Sequence, residues 1–236
     1  MRTLYLIRHG QASFGHENYD RLSETGFRQM KILAGHLAAT GCRVDAVYSG
    51  PLERQKSSAE QVIRRCRELK KQMPGMMICP DLSEYDYKAV LSSQLPDMIA
   101  ADPAIEEMLK NIYTDAAAFQ QVFEGAIMRW VSGKFDKPGV RTWADFSSRV
   151  YQTLSDISSR HGNRSIIWVF TSGGVITASL QAALKLTSRR ATEVGWQLLN
   201  ASVSRFVCRG NRLTLSGFND IAHLELTRNR SLFTYR

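Results

Sequence analysis

Thr3-Leu4-Tyr5-Leu6-Ile7-Arg8-His9-Gly10 is a short apolar run rich in β-formers that stops abruptly at a cation, an imidazole and a glycine. Such a run predicts a buried strand that delivers polar side chains at its carboxyl end. Reading onward, Ser23 can cap a helix, and Phe27, Met30, Leu33 and Leu37 repeat at helical spacing until Gly41. Val44 to Tyr48 reads as a second strand, and Pro51 fits the first turn of a helix that carries Arg and Lys outward to about Lys71. Met76 to Cys79 reads as a third strand. Strands alternating with helices of this length imply right-handed crossovers and a largely parallel sheet.

The alternation breaks near Tyr85. Between residues 85 and 142 the chain shows short helical stretches (Ile105–Tyr113 and Phe119–Val131) and loops at Pro96, Pro103 and Pro138. It resumes with a helix from about Trp143 to Arg160, a strand at Ser165–Phe170, the turn Thr171-Ser172-Gly173-Gly174 and a helix to about Lys185. Val203–Cys208 and Arg212–Phe218 flank Gly210-Asn211 and read as a hairpin. The expectation is one α/β domain over residues 1–236: a three-layer sandwich with a mostly parallel central sheet and a helical insertion, or cap, at about 85–142.

Composition narrows the function classes. The chain has 236 residues, 44% hydrophobic and 22% charged, which suits a globular protein with a real core rather than disorder. No apolar run approaches the roughly 18 residues of a membrane span, and the N-terminal apolar stretch is too short for a secretory signal. Cys42, Cys66, Cys79 and Cys208 form no CxxC pair and lie near no His cluster, which argues against zinc and against a disulfide framework. A cytoplasmic protein with free thiols is expected. The net charge of +9 leaves nucleic acid, an anionic surface or phosphorylated small molecules as partners. Residues 85–142 hold 6 basic and 8 acidic side chains, so the cationic excess lies on the α/β body.

Ligands of open α/β sheets bind at the carboxyl ends of the strands. Three such ends carry Arg8-His9-Gly10, Ser49-Gly50-Pro51-Leu52-Glu53 leading to Arg54, and Thr171-Ser172-Gly173-Gly174. Two guanidiniums, an imidazole and a Gly-rich helix N-terminus suit a phosphoryl group. In this ordered series the sequence resembles the histidine phosphatase superfamily, also called phosphoglycerate mutase-like, over nearly the whole chain outside the insertion. Further anchors are Leu22-Ser23 with Gly26, Leu82 with Glu84, Val175-Ile176, and Asn219-Asp220 with His223-Leu224.

The resemblance implies a metal-independent, cofactor-free phosphatase working through a phosphohistidine. His9 would attack phosphorus, Arg8 and Arg54 would hold the non-bridging oxygens, and Glu84 would protonate the leaving alkoxide and then activate water. Gly173 and Ser172 would complete the phosphate site, and Gln11 and Asn18 belong to the loop that touches substrate in the family. One position departs: members usually place a second histidine directly before this glycine, and here it is Ser172. A neutral hydroxyl there forgoes roughly 2.7–4 kcal/mol of transition-state stabilisation, by analogy with a lost oxyanion donor. Ser172 also reads as a natural N-cap. His16 and His223 are candidate substitutes, while His36 reads as packed or solvated and His161 as a helix-end residue.

Phosphomonoester hydrolysis is therefore the leading expectation, with a catalytically silent phospho-ligand binder as the alternative that Ser172 motivates. A glycolytic mutase fits less well, because the loop Gln11–Asp20 does not resemble that of the mutases. The partner expected is a phosphorylated small molecule. Although residues 53–71 carry 7 basic and 3 acidic side chains, no nucleic-acid module is present and no nucleic acid is expected. The terminal hairpin offers an edge for a homodimer.

Overall fold

The computed structural model describes residues 1–13, 20–41, 43–110 and 116–235. Its centre is a six-stranded sheet. The strands are β1 (Arg2–Arg8), β2 (Ala46–Ser49), β3 (Met76–Ile78), β4 (Ile166–Thr171), β5 (Val203–Arg209) and β6 (Arg212–Asp220). They lie in the order β3-β2-β4-β1-β5-β6. β1 to β4 are mutually parallel, whereas β5 runs antiparallel to both β1 and β6. This is the mostly parallel α/β architecture expected from the sequence.

Alternation in the strands builds two cores. Leu4, Leu6, Ile167 and Val169 face one side of the sheet, and Ile7, Trp168 and Phe170 face the other. On the second side lie α1 (Glu24–Ala39), α2 (Glu53–Glu68) and, at the far end of the chain, the short α9 (Ala222–Glu225). The first side is covered by α6 (Trp143–Ser159) and α7 (Gly173–Leu184). Burying residues on both faces of the central strands in this way removes apolar area at about 25 cal/mol per Å², the main favourable contribution to folding. Among the described residues, no helix is long and apolar enough to cross a membrane.

The segment between β3 and α6 holds α3 (Tyr87–Ala101), α4 (Ala104–Lys110) and α5 (Ala116–Val131). Of these, α5 does not stand off the body. Trp130 of α5 is buried against Tyr85, Trp143 and Phe146, so α5 shares the core of α6. Two local expectations need correction, at Pro96 and Phe27, and one helix is added. Pro96 lies inside α3 rather than in a loop, because Asp86 caps that helix and Val90, Gln94 and Met98 bury one face strongly enough to outweigh the missing N–H. The added helix is α8 (Ser188–Gly195), capped by the Thr187 side chain, which accepts from Arg190 N–H. Phe27 is 43% exposed, since Gly26 takes the inward position of the first turn of α1. A Cβ on Gly26 would stand 2.2 Å from the Gln11 carbonyl oxygen, so glycine alone permits that approach.

Candidate active site

His9 follows the last residue of β1, but its backbone stays pinned as if the strand continued. Its N–H donates to the Thr171 carbonyl at 3.0 Å, and its own carbonyl accepts from Ala201 N–H at 3.2 Å. The next amide, Gly10 N–H, donates to Ser58 Oγ of α2 at 3.1 Å. The residue as a whole is 4% exposed. His9 Nδ1 lies 2.7 Å from the Gly10 carbonyl oxygen, which can only accept, so Nδ1 carries the hydrogen. Nε2 faces Arg54 Nε at 3.1 Å, and an arginine N–H can only donate, so Nε2 carries a lone pair. Two neighbours thus fix the same tautomer. Burial, followed by the charges of Arg54 and Arg8, holds the pKa of His9 well below the usual imidazole value. The result is a neutral imidazole with its free nitrogen between cations.

Arg54 sits in the first turn of α2 and is nearly buried. Its Nη1 pairs with Asp20 Oδ1 at 2.6 Å, and Asp20 also accepts from Glu53 N–H at 2.8 Å, so one loop carboxylate fixes both the guanidinium and the start of the helix. Arg8 is held by backbone carbonyls: Nη1 donates to Leu198 and Nη2 donates to Tyr235 at 2.6 Å. Its Nε edge approaches the N-terminus of α7, where a Cβ on Gly173 would lie 3.9 Å away.

Glu84 reaches the same place from beyond β3. Both carboxylate oxygens lie 3.1 Å from Gly174 N, and Oε1 also accepts from Tyr85 N–H at 3.2 Å. Gly174 has to be glycine for this contact, because a Cβ would fall 2.1 Å from Oε1 and 2.7 Å from the Tyr85 ring. Burial raises the Glu84 pKa above its ordinary value, against the opposing pull of the Gly174 amide and Arg54. A carboxyl with a raised pKa and a neutral imidazole, both within reach of the charges of Arg8 and Arg54, are suited to proton delivery and nucleophilic attack. His9, Arg8, Arg54, Glu84 and Gly173 therefore converge on one space at the carboxyl ends of β1, β2 and β4.

The sequence profile of the histidine phosphatase superfamily (branch 1) matches residues 4–118 and 89–221, two overlapping stretches that span most of the chain. The chain belongs to the histidine phosphatase superfamily. Among solved structures, the phosphoserine phosphatase of Entamoeba histolytica in complex with 3-phosphoglyceric acid is similar at TM-score 0.65 and 21% identity, covering 95% of this chain and 100% of that one. A mycobacterial glucosyl-3-phosphoglycerate phosphatase complexed with VO3 matches at TM-score 0.64 and 19% identity, over 94% of this chain and 100% of that one. The phosphoglycerate mutase of Bacillus anthracis matches at TM-score 0.64 and 18% identity, over 96% of each. At such identities these likenesses speak to the fold. Among curated proteins, none matches the chain.

The position where histidine phosphatases usually carry the second histidine takes an unexpected form. Ser172 stands at the N-cap of α7, but its hydroxyl makes no capping bond; it accepts from Gln55 Nε2 at 2.8 Å. The N-cap reading is thereby corrected: Gln55 outcompetes the helix amides for this oxygen. Gln55 also donates to the Leu82 carbonyl at 3.2 Å, and both Gln55 and Ser172 are fully enclosed. The Gln11 side chain accepts from Ser23 Oγ at 2.8 Å, which ties it to the start of α1. Asn18 and His16 lie outside the described residues. His223 stands apart from the site, its ring 6.0 Å from that of His36 in the last turn of α1, and His161 pairs with the Tyr48 hydroxyl at 3.0 Å. Sequence reasoning missed Asp20, Gln55 and Asn200. A lone polar residue in a loop or on a helix carries no periodicity, so no sequence signal marked them.

Proposed function

We propose that the chain hydrolyses phosphomonoesters of small molecules through a phosphoryl group carried on His9 Nε2. The observation that carries this reading is the fixed tautomer of His9, with Nδ1–H spent on Gly10 and the Nε2 lone pair turned toward Arg54. Nε2 forms the new bond to phosphorus as the ester P–O bond breaks. The departing oxygen takes the proton from Glu84, whose raised pKa keeps it available. Arg8, Arg54 and the amide end of α7 offset the charge on the transferring group. In the second half, the Glu84 carboxylate takes a proton from water as the water oxygen attacks phosphorus. The N–P bond breaks, free phosphate departs, and both residues return to their starting states.

The alcohol portion of the substrate is assigned to the helices α3–α5, the segment that interrupts the α/β alternation. In this proposal α3–α5 form the helical insertion of one α/β domain.

Hydrolysis of an aryl phosphate tests the reading: wild type turns over and His9→Ala does not. A second reading, a silent phospho-ligand binder, is favoured by Ser172, whose enclosed hydroxyl leaves that corner without a cationic donor. Equal inertness of wild type and His9→Ala, with orthovanadate still bound, would establish the binder and sink the enzyme.

A further inference from the structure

The backbone of Arg8 and His9 is gripped by a chain of hydrogen bonds that begins on α1 and passes through the segment 232–235. Gln29 is fully buried on α1; its Oε1 accepts from Gln11 N–H at 2.8 Å, and its Nε2 donates to the Leu232 carbonyl at 2.8 Å and to Thr234 Oγ1 at 2.9 Å. Thr234 Oγ1 passes its own hydrogen to Asn200 Oδ1 at 2.9 Å. Asn200, also fully buried, donates its backbone N–H to the Thr234 carbonyl at 2.8 Å and its Nδ2 to the His9 carbonyl at 3.2 Å. One residue further, the Tyr235 carbonyl takes Arg8 Nη2 at 2.6 Å. Ala201, between Asn200 and the Ser202 carbonyl that accepts Arg8 N–H, sits at φ 62°, a left-handed conformation unusual for alanine.

We propose that Thr234 is a positioning residue for phosphoryl transfer, its hydroxyl joining Gln29 to Asn200 so that residues 232–235 hold the Arg8 guanidinium and the His9 backbone in register. This rests on the phosphatase reading above. The chain of bonds ends on the backbone carbonyl of His9, and the next residue along, Tyr235, holds the Arg8 guanidinium through its own carbonyl, so the network reaches the backbone of the nucleophile and one of the two arginines. A buried polar network of this kind rigidifies when every member is satisfied and fails sharply when one is removed. A displacement of about 1 Å at a reacting group can cost up to about 10²-fold in rate.

Three variants of the full chain separate positioning from support: Thr234→Val, Thr234→Ser and a chain stopped after Leu232. The readouts are orthovanadate affinity and kcat/KM for an aryl phosphate, each taken well below every variant's melting temperature. Thr234→Val removes both hydroxyl bonds at constant shape and is expected to lose about tenfold or more in both readouts. Thr234→Ser keeps the hydroxyl and is expected to stay within about twofold of wild type. The shortened chain, lacking the Tyr235 carbonyl as well, is expected to lose at least as much as Thr234→Val, and it carries the test if that variant fails to fold. Wild-type readouts in Thr234→Val or in the shortened chain, whatever their melting temperatures, would overturn the inference alone, as would equal losses in Thr234→Val and Thr234→Ser. Failure of the wild type to bind orthovanadate would overturn the phosphoryl reading itself and this inference with it.

Discussion

Replacing Arg54 with methionine removes a guanidinium whose Nε lies 3.1 Å from His9 Nε2 while keeping an unbranched apolar stem in the same nearly buried slot. Two effects of different kind follow. The transition state loses one of its two arginines, and by the scale of a missing oxyanion donor this is about 2.7–4 kcal/mol, or roughly 10²–10³ in kcat. At the same time the ground-state imidazole loses the larger of the two charges that depress its pKa. The sign follows directly: without Arg54 the imidazolium is less disfavoured, so His9 protonates at a higher pH. The acidic limb of kcat/KM, which reports the free enzyme, is expected to move up. Asp20 keeps the Glu53 amide at 2.8 Å, so the start of α2 retains a cap. The assay is aryl phosphate hydrolysis from pH 4 to 9, with a thermal melt to confirm folding. A loss under tenfold, or an acidic limb that stays in place, would refute the assignment of Arg54 to both roles.

Glu84→Gln tests the proton carrier and has an unusual stability signature. A buried acid with a raised pKa destabilises the fold as pH climbs above its unfolded value, so the amide is expected to melt no lower than wild type at pH 7 while turnover falls about 10²–10⁴-fold; retained turnover would remove Glu84 from the mechanism. Ser172→Ala should leave orthovanadate affinity within about twofold, because the hydroxyl is enclosed, and should cost about 1 kcal/mol for the lost Gln55 bond. A tenfold loss of affinity would instead return Ser172 to the anion pocket. His223 is buried with its pKa lowered to about 4, by burial and then by His36. Its stabilisation is complete above its unfolded pKa and is lost as pH falls toward 4, so urea titrations should show about 2 kcal/mol less stability from this group at pH 4.5 than at pH 7. His223→Gln should flatten that slope, and an unchanged slope would contradict the assignment.

The parts legible in the sequence were those with period or punctuation. β1 announced itself because a strand buried on both faces is an unbroken apolar run, and Arg8, His9 and Gly10 stood out by ending it. Ser23 capped α1 as read, its Oγ accepting from Gly26 N–H at 3.0 Å. What stayed hidden depends on partners distant in sequence. Pro96 argued for a loop, and only the packing of Gln94 and Met98 against the rest of the protein carries α3 through it. Ser172 looked like a cap because nothing local to it mentions Gln55, 117 residues away. Thr234 and Asn200 had no signal at all. Their meaning comes from the two side chains meeting at 2.9 Å beneath His9.

The proposed reaction passes through a covalent phosphoryl group on His9, and that intermediate can be trapped. Protein mixed with an aryl phosphate, quenched within the first turnovers and digested should yield the peptide containing His9 heavier by one phosphoryl group. That modification is expected to be labile in acid and stable in base, as a phosphoramidate is, and absent from His9→Ala. The Glu84→Gln variant should accumulate it, since a phenolate leaves an aryl phosphate without needing the proton of Glu84 whereas the carboxylate that activates water is gone. A phosphoryl group found on a serine, or turnover with no modification of His9 in either protein, would contradict the account.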